Sequence, residues 1–365
     1  MTDKKWEIHI SHFRNIQTDL CFERWPVLVS GKNGSGKTSF LEALYTLSNG
    51  RSFRTRNPRL LIQRSKKEAR VELLRVPEGD SLRLVIVKNP RVFYQNKAAT
   101  FRTVRKVFPV FYLGGRFWEL IPMQPAWRRR LLDDSIDRIV EGYRALKRRF
   151  HHVREQRIRM LQRGIQLGDP EDETWLQTFI EHAIMVWRAR AYLIRQIKKG
   201  IQFYWRRMFP SLEIDIRVTF GGIESRGYEV IVDEKTQWDR VLDYLVVSRD
   251  KEYEKGQCLF GPHRDDLEVV SPYGPFWETA SAGQVRAFLL SWVLALDDML
   301  QRLRDKRMSI FLDDFDAELD AERVKEWFSF LDDRRVIVTT HRSIWLRHKG
   351  PYQPFEIRRG KITQI

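Results

Sequence analysis

Hydrophobic positions in the first third of the chain come in short runs between turn residues. Val27-Leu28-Val29, residues 82–87 and Val92-Phe93-Tyr94 are the clearest, and from Trp6 to about Val110 the pattern predicts strands. From about Trp127 to Met208 the period changes. Leu131, Ile136, Ile139, Tyr143 and Leu146 fall at helical spacing within residues 126–164. A loop with Gly168, Asp169 and Pro170 separates that stretch from a second long helix over about 173–209. Short strands are predicted near 212–220 and 228–233, then a helix near 238–252. From Cys258 strand and helix alternate again, ending in Ile310-Phe311-Leu312 and Val336-Ile337-Val338. This order predicts an α/β head formed by both chain ends, residues 1–112 and 256–365, interrupted by a mainly helical inserted lobe at 113–255. No heptad persists over several turns, which excludes a long antiparallel coiled-coil arm.

Charge narrows the class of partner. Lys and Arg total 65 against 48 Asp and Glu, a formal net charge of +17, which favours a polyanion, nucleic acid before membrane. Cys21 and Cys258 share no metal or redox spacing, so a disulfide framework is excluded and a reducing cytosol fits. The opening MTDKKWEIHI has no apolar signal core, and the longest apolar run, 287–296, is too short to span a bilayer. The expected location is cytoplasmic.

The sharpest chemical signal is Gly31-Lys32-Asn33-Gly34-Ser35-Gly36-Lys37-Thr38, which matches G-x-x-x-x-G-K-[ST] at every required position. An apolar run precedes it and a helical pattern opens at Ser39, so the motif sits in a strand–loop–helix context. Its three glycines permit a backbone whose N–H groups converge on a β-phosphate at the helix N-terminus. Lys37 is expected at the β- and γ-phosphates of ATP, and Thr38 at Mg²⁺.

Three further elements lie far downstream. A buried-strand pattern at 309–312 ends in Asp313-Asp314. Alone, such a pair is a turn or helix cap; with the Gly31 loop, Asp313 is placed to hold the magnesium shell and Asp314 to orient or deprotonate water. Thr339-Thr340-His341 follows the apolar run 336–338, where a histidine at a strand end can face the γ-phosphate. Ser281-Ala282-Gly283-Gln284 opens an apolar helix; alone it is an ordinary cap, but it also offers a hydroxyl and N–H donors to an anion.

These four elements in this order resemble the ATP-binding-cassette ATPase head. Ala280-Ser281-Ala282-Gly283-Gln284 stands where that superfamily carries L-S-G-G-Q, with Ala280 replacing the Leu. Asp316-Ala317-Glu318-Leu319-Asp320 resembles its D-loop, and His341 its switch histidine. The closer resemblance is to the RecF family of bacterial recombination and repair ATPases. It is carried by Phe13-Arg14-Asn15-Ile16, Leu41-Glu42-Ala43-Leu44-Tyr45 and Gly50-Arg51-Ser52-Phe53-Arg54. Arg128-Arg129-Arg130-Leu131-Leu132-Asp133 and Gly261-Pro262-His263-Arg264-Asp265-Asp266-Leu267 complete it. From the residues alone, that last string is a turn feeding a strand, with Asp265 and Asp266 solvated. The chain departs from the family before the Arg triplet, where Leu113-Gly114-Gly115-Arg116-Phe117-Trp118 replaces a Pro-Glu-Asp-Leu-like segment.

The resemblance implies an ABC-type P-loop ATPase head that forms a homodimer around ATP and Mg²⁺. Ser281, Gly283 and Gln284 would reach the partner's γ-phosphate, Asp314 and His341 would be catalytic, and Arg14, Asn15 and Ser39 would lie by the nucleotide. It further implies weak ATP hydrolysis coupled to dimer opening, duplex or gapped DNA as ligand, RecR (with RecO and RecA) as partners, and no membrane. A RecF-like ATPase with another task, such as phage defence, and a transporter-type ABC subunit are the alternatives. The Arg-rich lobe has no explanation in the transporter reading. On its helical stretches Arg128, Arg129, Arg188, Arg190, Lys198, Lys199, Arg206 and Arg207 are expected at DNA phosphates, and on the second stretch no acid lies between Arg188 and Arg207 to pair with them. Arg51 and Arg54 are the next candidates, on the head.

Overall fold

The computed structural model describes residues 5–76, 80–164, 169–219, 250–331, 334–342, 350 and 352–365. The strand expected at 228–233 and residues 238–249 of the helix expected near 238–252 lie outside the described residues. Two compact units are formed, one from residues 1–118 and 282–365, the other from 119–281. The chain therefore re-enters the first unit at residue 282, not at 256 as the change of pattern at Cys258 suggested. The reason is a strand pairing: β9 (Asp215–Thr219) and β10 (Asp266–Ser271) run antiparallel, with β11 (Gly274–Pro275) at the edge, so residues 266–275 complete the inserted unit.

The first unit holds two sheets. Strands β1 (Lys5–Phe13), β2 (Ile16–Phe22), β4 (Ala69–Val76), β5 (Asp80–Ile86), β6 (Pro90–Tyr94) and β7 (Lys97–Ala99) form an antiparallel sheet in the order β2-β1-β4-β5-β6-β7. The second sheet uses both chain ends: β3 (Val27–Ser30), β8 (Val110–Leu113), β12 (Ser309–Leu312), β13 (Arg335–Thr340), β14 (Gln353–Arg358) and β15 (Lys361–Gln364). Its order is β15-β14-β3-β13-β12-β8, parallel throughout except for β15. Every residue of β3 and β12 is buried, which is why these strands appear as unbroken apolar runs and not as alternation. Helix α1 (Lys37–Asn49) is buried along nearly its whole length and packs against strands of both sheets. Gly50, at φ 71°, ends it by returning its N–H to the Thr46 carbonyl. Helix α2 (Phe101–Val107) leads into β8, and α3 (Arg116–Met123) leaves it.

The second unit is mainly helical. The single stretch expected over 126–164 is divided into α4 (Pro125–Ile139) and α5 (Tyr143–Gln162), because Gly142 adopts a left-handed φ of 86° between them. Helix α6 (Pro170–Met208) starts from Asp169, whose carboxylate accepts the Glu171 N–H, and it buries Phe179, Ile180, Trp187, Ile201 and Trp205. In the first unit, α7 (Ala282–Arg304) and α8 (Ala321–Phe328) flank β12 in the chain.

The helical unit is organised by buried charge. Arg190 donates to Asp265 at 2.6 Å, to the Pro262 carbonyl at 2.7 Å and to Asp133 at 2.8 Å. Trp187 Nε1 donates to the other Asp265 oxygen at 3.0 Å, and Arg129 to the Asp265 carbonyl at 2.6 Å. Arg128 forms a two-pronged pair with Asp266, both bonds at 2.6 Å. Asp265 is thus fully buried, against the solvated reading, and Asp266 is part-buried and paired. Arg128 and Arg190 are buried as well and are withdrawn as DNA contacts, since a phosphate would have to displace a carboxylate inside the fold.

His263 lies in the same segment, with Nε2 3.1 Å from the Cys258 carbonyl. Burial, helped by nearby arginines, holds its ring neutral and lowers its pKa from 6.5 to about 4. The unfolded chain takes up this proton below 6.5 and the folded chain only below about 4. The stability contributed is therefore complete above 6.5 and is lost as pH falls from 6.5 to 4. Asp133 acts lower: burial raises it, but Arg190 and Lys147 outweigh burial and hold it at about 2, so its contribution is lost only below 3.8. His263→Gln is expected to flatten the loss of stability between pH 6.5 and 4 while leaving the loss below 3.8. Denaturant midpoints measured across that range check it; an unchanged profile would assign the titration to another group.

Candidate nucleotide-binding site

Three strand ends of the parallel sheet converge at one edge. Strand β3 delivers the Gly31 loop, β12 delivers Asp313 and Asp314, and β13, paired between them, delivers Thr339, Thr340 and His341. This is the carboxyl edge of a parallel sheet, where ligands of such folds sit. The loop is pinned by neighbours: Gly31 N donates to the Thr340 carbonyl at 3.2 Å, Gly360 N to the Ser35 carbonyl at 3.0 Å, and Asn15 Nδ2 to the Gly34 carbonyl at 3.3 Å. A Cβ on Gly31 would lie 2.6 Å from the Ile357 carbonyl oxygen, and one on Gly36, at φ 117°, would lie 2.4 Å from Ile16 Cδ1. At Gly31 a side chain would meet backbone, and at Gly36 the positive φ itself disfavours any residue with a Cβ.

Asp313 is the centre of the arrangement. Its carboxylate accepts Thr38 Oγ1 at 2.7 Å, Thr339 Oγ1 at 2.6 Å and the Tyr112 hydroxyl at 3.3 Å, while Trp118 Nε1 donates to its carbonyl at 3.0 Å. Burial, then the Asp313 charge, push the Tyr112 phenol well above its usual pKa, so it remains a donor. Thr339 Oγ1 also accepts the Asp314 N–H at 3.0 Å, which couples the two acids through one hydroxyl. Asp314 adopts φ 46°, and one carboxylate oxygen lies 4.0 Å from Lys37 Nζ. Burial and then Asp313 raise its pKa, against Lys37 and His341. Lys37 is buried and donates to the loop's own carbonyls, Gly31 at 2.8 Å and Lys32 at 3.3 Å.

Residues 316–320 lie against the start of α7. A Cβ on Gly283 would lie 2.6 Å from the Glu318 carbonyl oxygen, so this approach needs glycine. Asp316 accepts Thr340 Oγ1 at 2.8 Å, and Arg286 donates to the Asp314 carbonyl at 2.8 Å while its guanidinium lies over the Trp118 ring.

The structure brings together Gly31, Gly34, Ser35, Gly36, Lys37, Thr38, Asn15, Asp313 and Asp314. Lys32 and Asn33 are exposed on the loop, Ser39 is buried in α1, and His341 is exposed at the end of β13. Ser281 is exposed as the last residue of the second unit, whereas Gly283 and Gln284 open α7 in the first. Arg14 faces α1, donating to both oxygens of the fully buried Glu42 at 2.5 and 2.9 Å, and Arg54 joins it at 3.4 Å. Of the remaining cations expected at DNA, Lys198 pairs with Asp215 and Arg206 with Glu213, Arg188 is half-buried, and Lys199, Arg207 and Arg51 are exposed.

Sequence reasoning missed Tyr112, Trp118, Thr339 and Arg286. The departure at 113–118 marked the neighbourhood of Tyr112 and Trp118, and Thr339 stood in the Thr339-Thr340-His341 string without a role of its own; the departure now has a physical content: Gly114 lies so close to Asp313 that a Cβ would come within 2.5 Å of the acid's own Cβ. The residues present suit a magnesium nucleotide. Thr38 and Asp313 form a hard-oxygen pair, and Ser35 Oγ and one Asp314 oxygen are buried with no hydrogen-bond partner among the described residues.

Residues 6–351 match the model of the RecF/RecN/SMC N terminal domain. The chain belongs to that family. Within it, the chain is 29% identical to the DNA replication and repair protein RecF of Geobacter metallireducens, over 98% of this chain and 99% of that one. It is 26% identical to the RecF of Acinetobacter baylyi, with equal coverage. A solved structure of the recombination mediator RecF superposes with a TM-score of 0.80 over 98% of this chain and 97% of that one, at 21% identity. An Smc head domain from Pyrococcus furiosus superposes at 0.56 and 15% identity, over 99% of this chain and 95% of that one. The fold of this RecF/RecN/SMC chain is thus the ABC-type ATPase head with an inserted lobe. No helix among its described residues is long and apolar enough to cross a membrane.

Lys37→Ala removes the one buried ammonium at the loop. Titration calorimetry is expected to show ATP affinity reduced by about 100-fold or more, the scale of about two charge-assisted hydrogen bonds. Unchanged affinity would contradict the site.

Proposed function

We propose that the protein is an ATP-dependent DNA-binding protein of RecF type that supports recombinational repair. Two chains close around ATP and Mg²⁺ on duplex DNA near a single-strand gap, and weak hydrolysis reopens them and releases the DNA. RecR, with RecO, is the proposed partner, and RecA loading the proposed outcome. The observation that carries this reading is the Thr38–Asp313 bond, 2.7 Å between residues 275 positions apart. Family membership and the RecF relatives, one solved as RecF-ATP in the RecFOR pathway, support it.

Mg²⁺, when bound, supplies charge to the β- and γ-phosphates. Thr38 and Asp313 are the residues proposed to hold it. Tyr112 and Thr339 fix the orientation of the Asp313 carboxylate, so its oxygens need little reorganisation. Lys37 exchanges loop carbonyls for phosphate oxygens. Asp314, its pKa raised, is the proposed proton acceptor for the attacking water, with His341 beside the γ-phosphate. Ser281, Gly283 and Gln284 are proposed to complete the site of the second chain.

Asp314→Asn keeps the phosphate cradle and removes the base. Hydrolysis is expected to fall by about 10²–10⁴-fold with ATP binding retained and ATP-bound dimers accumulating; hydrolysis at the parent rate would place the base elsewhere. Ser281→Arg is expected to bind ATP and remain a single chain in light scattering, because a bulky cation blocks the partner's phosphate. Normal ATP-dependent dimers from this variant would contradict the sandwich.

A further inference from the structure

We infer that Trp118 and Arg286 are positioning residues for hydrolysis, clamping the main chain of the acid pair so that the Asp314 carboxylate stays aimed at the attacking water. The inference rests on the assignment of Asp314 as proton acceptor made above. Asp314 adopts φ 46°, a left-handed conformation that a residue with a Cβ holds when its surroundings impose it. Three side chains do so, each at a polar group of the main chain. Thr339 Oγ1 accepts the Asp314 N–H at 3.0 Å, Arg286 donates to the Asp314 carbonyl at 2.8 Å, and Trp118 Nε1 donates to the Asp313 carbonyl at 3.0 Å. The peptide unit between the two acids is thus held from both sides.

The two donors also hold each other. The Arg286 guanidinium lies 4.8 Å from the centroid of the Trp118 ring, and the indole is buried. Trp118 comes from α3 and Arg286 from α7, so displacing either one loosens the grip of both. The 113–118 segment brings the indole to the acids. Its backbone turns so that the Phe117 N–H meets the Gly114 carbonyl at 3.0 Å and the Trp118 N–H the Gly115 carbonyl at 3.1 Å. Gly114 permits the approach, because a Cβ there would come within 2.5 Å of both Asp313 Cβ and the Tyr112 hydroxyl. The stretch that departs from a Pro-Glu-Asp-Leu-like pattern therefore supplies its own means of fixing the acids. Trp118 is also the last residue of the first unit before the chain leaves it, and Arg286 follows soon after the return at Ala282.

Neither side chain belongs to the phosphate cradle. Lys37 donates to the Gly31 and Lys32 carbonyls, and the Asp313 carboxylate keeps Thr38, Thr339 and Tyr112. Loss of the clamp leaves these groups in place and frees the Asp314 peptide to rotate. One Asp314 oxygen lies 4.0 Å from Lys37 Nζ, and such a rotation swings it away. A displaced base slows proton transfer without weakening nucleotide binding, so the clamp acts on kcat and not on affinity.

The kcat and KM of the full chain for ATP, read beside ATP affinity from titration calorimetry, test this. Trp118→Phe keeps the ring against Arg286 and removes the Nε1–H, while Arg286→Met keeps the aliphatic stem and removes the donor. Each is expected to lower kcat about 10–100-fold, the range for residues that orient a reacting group, with affinity within about 2-fold of the parent. Thermal midpoints are expected to match the parent. The double variant is expected to be within about 3-fold of the slower single variant, because both residues act through one peptide unit. Should Arg286→Met fail to fold, Trp118→Phe still decides, since it leaves Arg286 and the ring in place. Parent-like kcat in either single variant, or affinity lost in proportion to kcat, would overturn the inference. So would losses that multiply in the double variant, which would make the two residues independent. Asp314→Asn hydrolysing at the parent rate would instead remove the base assignment, whatever the Trp118 and Arg286 variants do.

Discussion

The carboxylate of Asp313 receives hydrogen bonds from three separate stretches of the chain, and the rest of the head is arranged so that they meet. Thr38 comes from the start of α1, Thr339 from β13 and Tyr112 from β8. Because β13 pairs on one side with β3 and on the other with β12, its terminal threonines fall between the glycine loop and the acid pair and bond to both. An acid buried to this extent is stable only with such donors around it. They also hold its oxygens in place before a cation arrives.

What could be read from the residues follows from how local each signal is. The glycine loop announces itself because backbone geometry, cation and hydroxyl are contiguous, and β3 and β12 because strands buried on both faces are apolar without a break. The division of 126–164 at Gly142 left no mark in the hydrophobic period, which continues across it. Nor did the re-entry at residue 282, since β10 resembles any head strand until its partner β9 is known. Tyr112, Trp118 and Arg286 act on acids that lie far away in the chain, and no window of sequence holds both ends of such a bond.

The basic lobe shows the same limit for charge. A stretch from Arg188 to Arg207 without an acid suggested free cations, yet the acids arrive from elsewhere: Asp133 and Asp265 for Arg190, Asp215 for Lys198, Glu213 for Arg206. Two strings characteristic of the RecF resemblance prove to be partners, Arg128-Arg129 clamping Asp265-Asp266. Their role here is to hold the helical unit together. Among the described residues, Arg51, Arg56, Arg59, Arg64, Lys66 and Lys67 are exposed and form no ion pair.

The central claim is that one chain carries only part of a working site, with the cradle and acids at one end of the sheet and the Ser281 turn serving a second copy. The most direct measurement is the solution mass of the unaltered protein by size-exclusion chromatography with light scattering, with Mg²⁺ and no nucleotide, ADP or ATP. The account predicts a single-chain mass without nucleotide or with ADP and a two-chain mass with ATP. A single-chain mass under all three conditions, at protein concentrations where ATP binding is saturated, would contradict it.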